Sequence, residues 1–209
     1  MASKNIAFSN NNVDFLTKNH DAAVDKQGVD ADFHLMMDFM ANCVLGHALT
    51  AQPLIYTEAV ASAWATASKD AGSITIHFNK VTYLVNASMI RKALELPSYT
   101  NYADLPSEDN IRDFLRTINY NGSLTVLSKL SRPNLRKEWS LLFDQISKCF
   151  TGKCSAFDQI TKITAQICYA LVYNVNIDYG TLILNQIASK ISSAPGSTSK
   201  FYFHRFIQF

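Results

Sequence analysis

Apolar residues recur every three or four positions in the first patterned part of the chain. Between residues 33 and 49 this recurrence predicts one amphipathic helix, which Asp30 or Asp32 can cap. Its apolar face is formed by Phe33, Met36, Met37, Met40, Val44 and Ala48. A shorter, alanine-rich helix is predicted to begin at Thr57, with Val60 and Trp64 on one face.

The period then changes from helical to alternating. Ile74, Ile76 and Phe78 alternate with polar residues, and the alternation resumes from Val81 to Val85 after the pair Asn79-Lys80. Two such runs separated by two residues are typical of a β-hairpin. One hairpin is marginal by itself, so we expect residues 74–85 to pack against helices.

The remainder of the chain has helical spacing, with capping residues, prolines and glycines that predict where each helix starts or stops. The predicted helices are one capped by Ser88 and closed by Pro97, one from Ser107 to Gly122, one opened by Pro133 and stopped at Gly152, one capped by Ser155 with Asp158, and one capped by Asp178. The fold class is therefore mainly α: a single helical domain of about seven helices with one small hairpin.

Composition changes at the two ends of the chain. Residues 1–29 are polar without apolar periodicity and are predicted to be a flexible arm before the domain at 30–193. Residues 194–200 have the composition of a linker, and residues 201–209 form an aromatic C-terminal segment.

Charge and cysteine content say little about what the protein binds or where it is located. The 209 residues carry a formal charge of +2, with seven Lys/Arg and ten Asp/Glu in 1–105 against twelve and seven in 106–209. No stretch approaches the roughly 18 apolar residues that span a bilayer, and the N-terminus lacks the apolar region of a secretory signal. We therefore expect an intracellular protein, cytoplasmic or nuclear, with no membrane partner and with reduced cysteines.

The first helix contains four residue types that bind metals, namely His34, Asp38, Cys43 and His47. At 100° per residue the first two fall on the solvent side and the last two fall toward the apolar face. Ligands on opposite sides of one helix cannot converge, so no metal site is predicted here. Cys149 and Cys154 lack the further ligands that a zinc site needs. No cofactor, catalytic constellation or small-molecule substrate is evident.

Basic residues concentrate between 129 and 153. They are Lys129, Arg132, Arg136, Lys137, Lys148 and Lys153. A phosphate-binding patch for nucleic acid is one interpretation of this stretch, and an ordinary solvated helix face is the other.

The aromatic end of the chain is the second candidate binding feature. Phe201, Tyr202, Phe203, Arg205 and Phe206 would present two aromatic faces if the segment were extended. The rings are costly to leave in water, so we expect 201–209 to fold back on the helices. The alternative is that the segment stays exposed and docks on a partner protein.

Several landmarks of the chain resemble the plant transposon protein domain family, which occurs in retroelement-derived reading frames and is related to the plant mobile domain. The landmarks include Pro53, Trp64-Ala65-Thr66-Ala67, the hairpin, Leu96-Pro97, Tyr120, Trp139, Cys149-Phe150-Thr151-Gly152-Lys153 and Arg205-Phe206-Ile207-Gln208. The chain departs from the family at Asn119, where Gly is usual, at Ala63, where Phe is usual, and at His204, where Pro is usual.

The resemblance implies a domain without catalytic residues that belongs to a longer transposon- or retrotransposon-derived protein. The expected function is protein association, including self-assembly of a gag-like kind. The alternative is a nucleic-acid-binding module that uses the basic stretch 129–153.

Overall fold

A computed structural model describes residues 22, 24–52, 56–151, 156, 158–193, 203 and 206. Within them lie eight α-helices: α1 His34–Asn42, α2 Gly46–Thr50, α3 Thr57–Thr66, α4 Ala87–Ala93, α5 Glu108–Thr117, α6 Lys137–Phe150, α7 Lys162–Val172 and α8 Tyr179–Ser193. One antiparallel sheet has the strand order β1 Ser68–Asp70, β2 Ser73–Phe78 and β3 Val81–Asn86. Short 3-10 helices occupy Ala31–Phe33, Leu127–Lys129 and Arg132–Asn134. The predicted fold class is confirmed.

The predicted hairpin is present, and its register places Phe78 opposite Val81. Asn79 and Lys80 form the turn with φ of 50° and 65°. Both angles lie in the left-handed region, as a two-residue type I′ turn requires. Strand β1 was not predicted, because three polar residues carry too little alternation to distinguish a strand from a loop.

The single helix predicted over 33–49 is wrong, because the chain breaks between α1 and α2. Cys43 is extended, with ψ of 170°, and Gly46 packs so closely on α1 that a Cβ there would lie 2.3 Å from the Ala41 carbonyl oxygen. The break changes which side chains face the core. Leu45 is buried, whereas Val44 and His47 are exposed, contrary to the helical wheel.

Two predicted helix starts are confirmed by their hydrogen bonds. Ser107 and Asn110 form a reciprocal capping box at the start of α5. At α8, the Thr181 N–H donates to a carboxylate oxygen of Asp178 at 3.0 Å. In both cases a polar side chain satisfies an N–H that the first helical turn leaves unpaired.

Two other predicted starts are displaced. Helix α4 is capped by Asn86, whose side chain accepts from the Met89 N–H, and not by Ser88. Helix α7 is capped by Thr161, while Asp158 lies in the preceding turn and Ser155 lies outside the described residues. The sequence offered several capping residues within a few positions, and packing selected among them.

Two predicted boundaries are also displaced. Helix α5 ends at Thr117, before Gly122, because Asn119 adopts the left-handed conformation with φ of 57°. Pro133 lies in a separate 3-10 helix, and α6 begins only at Lys137.

The helices pack on a core in which the Phe114 side chain of α5 is central. Its ring lies 5.9 Å from the rings of Trp139, Tyr169 and Tyr173, and 6.1 Å from that of Phe143. This cluster joins α5, α6 and α7, and most of its contacts are edge-to-face, the geometry that aromatic quadrupoles favour. The sheet covers α3 and α8 on another side of the domain.

The predicted arm and linker lie mostly outside the described residues. Residues 1–21, 23 and 194–200 are not described. Ala22 is buried, and its N–H donates to the Leu49 carbonyl oxygen at 2.7 Å, so one residue assigned to the arm lies against α2.

Candidate functional site

The candidate nucleic-acid patch is largely neutralised by carboxylates. Arg132 contacts Asp144 and Asp158, Arg136 contacts Glu138, Lys137 contacts Asp30 and Asp32, and Lys148 contacts Asp144. Lys129 is exposed and has no ion pair among the residues described, while Lys153 lies outside them. Paired cations add little net potential to attract phosphate, and the nucleic-acid interpretation stays a prediction.

Within this stretch, Arg132 has a structural role. Its side chain is only 21% exposed and contacts Asp144, whose side chain is 10% exposed. The Asp144 carboxylate also accepts from the Lys148 ammonium at 2.7 Å. The Arg132 backbone N–H donates to the Asp158 carbonyl oxygen at 2.6 Å. Arg132 therefore holds the loop before α7 against α6 and presents little charge to solvent.

At its two described positions, the aromatic C-terminal segment is buried against the rest of the chain. Phe203 and Phe206 are 1% and 0% exposed. The Phe206 ring lies 5.5 Å from that of Phe150 in α6. Fold-back of the segment is confirmed for these residues, so they do not offer a partner the exposed surface that the docking interpretation requires. Phe201, Tyr202 and Arg205 lie outside the described residues.

The chain is not extended at Phe203. Its φ is 53°, and its carbonyl oxygen accepts the Phe206 N–H at 2.9 Å. The resulting turn places both rings on the same side, stacked 6.2 Å apart. Burying both rings outweighs the regular alternation of a strand.

The metal-binding residue types of α1 and α2 have separate partners, and His47 is exposed where the helical wheel placed it toward the apolar face. Asp38 pairs with Lys26 at 2.5 Å, His47 lies 3.4 Å from Glu95, and the Cys43 thiol donates to the Met40 carbonyl oxygen at 3.3 Å. Within the described ranges, no three His, Cys, Asp or Glu side chains lie close enough to share a metal. Burial raises the pKa of Cys168 well above that of a free thiol, which disfavours the nucleophilic thiolate.

An apolar groove that the sequence patterns did not predict lies between α1 and α6. Its volume is about 710 Å³. It is lined by Ala31, Asp32, Leu35, Met36, Phe39, Arg136, Lys137, Glu138, Trp139 and Val172. Leu35 is 82% exposed, the most exposed large apolar side chain in the described chain. A signal existed in the sequence, since Leu35 is apolar yet lies off the face formed by Met36, Met37 and Met40.

The walls of the groove are held by the core behind them. The Trp139 ring packs edge-on against Phe114 at 5.9 Å. Met36 is buried on α1, while Phe39 and Val172 are half-buried. The floor is therefore continuous with the packed core of the domain, and Leu35 forms an exposed edge on α1.

The rim of the groove carries two cations and two carboxylates that pair with one another. Hydrogen bonds to Asp32 and Asp30 raise the pKa of Lys137, and its ammonium lies 5.5 Å from the centre of the Phe33 ring. The pKa of Asp30 is lowered by the Asp32 N–H and by Lys137. Arg136 and Glu138 form the other pair at 3.0 Å. The groove thus offers apolar contact within a rim of balanced charge.

Comparison with known protein families, curated proteins and solved structures gives no match to this chain. Among the described residues, no helix is long and apolar enough to cross a membrane.

Proposed function

We propose that the chain is a non-enzymatic, protein-associating domain of a plant transposon- or retrotransposon-derived protein, and that the groove between α1 and α6 receives its partner. The observation that carries the association is the groove itself, with Leu35 standing 82% exposed at its edge. Burying such a side chain contributes about 1.5–3 kcal/mol.

The genomic context rests on the resemblance in the sequence. One departure from that family is conservative in structural terms. Asn119 stands where Gly is usual, and its φ of 57° is one that Gly and Asn both tolerate. The adjacent Tyr120 is buried, and its hydroxyl accepts from the Ser131 N–H at 2.8 Å. These two positions therefore have a structural reason to be retained.

The occupant that suits the groove best is an amphipathic helix of a protein partner. Sites for small molecules place a few polar groups so that they converge on the ligand, whereas the charged groups here pair with one another on the rim. Helices bind apolar grooves through side chains spaced three or four residues apart. Because the rim charges balance, we expect affinity to depend weakly on salt.

The experiment uses a photo-crosslinking amino acid in place of Leu35, with the same substitution at Leu105 as control. Leu105 is a second exposed leucine, and it lies before α5, outside the groove lining. A protein captured from plant cell extract at position 35 only would be identified, purified and titrated with the wild-type chain. Leu35→Asp should then weaken binding at least about tenfold, while Leu105→Asp should not.

Two outcomes would contradict the proposal. One is a purified partner that binds Leu35→Asp as tightly as wild type. The other is capture at position 35 of nucleic acid in place of protein, with affinity that falls steeply as salt rises, which would favour the phosphate-binding alternative.

A further inference from the structure

The two edges of the sheet differ in how well they are protected. The β1 edge is only three residues long, contains Lys69 and Asp70, and α8 packs against it. The β3 edge is six residues long, reads Val-Thr-Tyr-Leu-Val-Asn, and has neither charge nor proline. Proteins that stay monomeric usually blunt such edges with charges, proline or a covering element. The β3 edge has none of these devices among the described residues.

The register of the hairpin shows which backbone groups of β3 face outward. Phe78 and Val81 flank a two-residue turn and are therefore a hydrogen-bonded pair. Since hydrogen bonding alternates along an antiparallel pair, Tyr83 and Val85 also bond to β2. The N–H and C=O groups of Thr82 and Leu84 then point to the free edge, where no described residue pairs with them.

The opposite side of β2 supports this assignment. By the same alternation the N–H and C=O of His77 must point away from β3. They meet the Thr66 hydroxyl at the end of α3, at 2.9 and 3.0 Å. Among the residues that the structure describes, the outward groups of His77 in β2 are thus satisfied by a side chain, whereas those of Thr82 and Leu84 in β3 are left open.

The side chains of β3 are also unusually exposed for their type. Val81, Tyr83 and Leu84 are 48%, 42% and 53% exposed. Val81 and Tyr83 share the face of the sheet that carries Ile74 and Ile76, whereas Leu84 lies on the other face. An added strand would cover apolar area on both faces at once.

We propose that β3 pairs antiparallel with β3 of a second copy of this chain, about a two-fold axis at Tyr83, to form one continuous sheet from two three-stranded sheets. In this register Thr82 lies opposite Leu84 of the second copy, and both carry outward backbone groups. Val81 lies opposite Val85 and Tyr83 opposite Tyr83. Cross-strand pairs of β-branched and of aromatic residues are the favourable kind.

A second copy fits this edge better than an unrelated strand because the edge is self-complementary. Lys80 would face Asn86, so no like charges meet across the axis. A two-fold interface requires that one surface match itself, and the hydrogen-bonding pattern of β3 does so about Tyr83. The residues involved are not those of the groove, so failure of either proposal leaves the other standing.

The first test is the molar mass of the full chain by light scattering across a dilution series. We expect a dimer that dissociates on dilution. Leu84→Lys should shift the dissociation to higher protein concentration by about tenfold or more, because its ammonium would sit on the shared edge. His77→Lys, with an exposed side chain on the same sheet face but on the central strand, should not, and neither should Leu35→Asp.

The second test remains informative if Leu84→Lys fails to fold. Residues facing each other without hydrogen bonds lie about 4.5 Å apart between Cα atoms, which a disulfide can span. Tyr83→Cys should therefore form a cross-copy disulfide under mild oxidation much faster than Thr75→Cys, on the central strand. A chain that is monomeric at every concentration, or equal rates for the two cysteine variants, would overturn the proposal.

Discussion

Arg91 and Asp178 form an ion pair that joins α4 to the start of α8, with a guanidinium nitrogen 2.7 Å from a carboxylate oxygen. They are 87 positions apart in the chain. The same carboxylate accepts the Thr181 N–H at 3.0 Å and the Thr181 hydroxyl at 2.7 Å. One side chain thus caps α8 and anchors it to α4. The Arg91 guanidinium also lies 5.6 Å from the centre of the Tyr102 ring.

This contact predicts a specific acid sensitivity. Burial is the largest single influence on Asp178 and raises its pKa, but Thr181 and Arg91 together outweigh it, so the pKa is lowered from 3.8. A carboxyl with a lowered folded-state pKa stabilises the fold above its unfolded pKa and loses this contribution as pH falls through the folded pKa. Asp178→Asn should therefore cost about 1 kcal/mol near neutral pH, because Asn can still cap α8 but its amide carries no charge to pair with Arg91. It should also flatten the loss of stability below about pH 4.

Urea unfolding of wild type and Asp178→Asn at several pH values between neutral and acid measures this effect. Some acid dependence should remain in the variant, because Lys162 and Arg112 lower the pKa of Glu108 as well. Asp109→Asn is the control: its side chain is 89% exposed, and its effect should stay within about 0.5 kcal/mol. Parallel pH curves for wild type and Asp178→Asn would contradict the prediction.

Phe206→Ala should destabilise the chain by about 3–5 kcal/mol, because a fully buried ring packed on Phe150 leaves a cavity. Thermal and urea unfolding measure the loss, and binding of a hydrophobic dye should rise. Leu35→Ala, at a side chain 82% exposed, should change stability by no more than about 0.5 kcal/mol. If Phe206→Ala unfolds like wild type, the Phe206 side chain contributes nothing to the core.

Two arginines four positions apart should contribute very differently to the free energy of unfolding. Arg132→Gln removes a contact to the buried carboxylate of Asp144 and should cost about 1–3 kcal/mol. Arg136 is 63% exposed and pairs with Glu138 on the surface, so Arg136→Gln should cost less than about 0.5 kcal/mol. Urea unfolding of the two variants side by side gives the comparison, and equal losses would mean that the Arg132 contact contributes nothing beyond a surface pair.

Lys80→Gly should stabilise the chain by about 1 kcal/mol. A non-glycine residue at the left-handed φ of 65° costs about 1–2 kcal/mol. Glycine avoids this strain, but part of the gain is cancelled because glycine has more conformational entropy in the unfolded chain. The same change at exposed Lys92, inside α4, should instead destabilise by up to about 1 kcal/mol. Opposite signs in chemical unfolding support the type I′ turn; destabilisation at both sites would argue against it.

Local sequence patterns were sufficient to predict secondary structure wherever a short-range physical rule acts by itself. The change of period at residue 74 predicted the hairpin, since alternation places side chains on two faces of a strand whatever lies nearby. Ser107 and Asp178 could be identified as caps because such side chains bond N–H groups close by in sequence, here three residues ahead. The mainly helical fold class follows from such local regularities.

Where the local sequence allowed more than one structure, only tertiary packing decided which one forms. The sequence could not place the break at Cys43, since helical spacing continues through it, and the approach of Gly46 to the Ala41 carbonyl becomes visible only in three dimensions. The basic stretch 129–153 looked like a patch because its carboxylate partners are partly remote in sequence, as Asp30 is from Lys137. The groove and the open β3 edge arise where elements meet or fail to meet. Sequence therefore determined the elements, through interactions within a few residues, while the candidate surfaces depended on contacts between residues far apart in the chain.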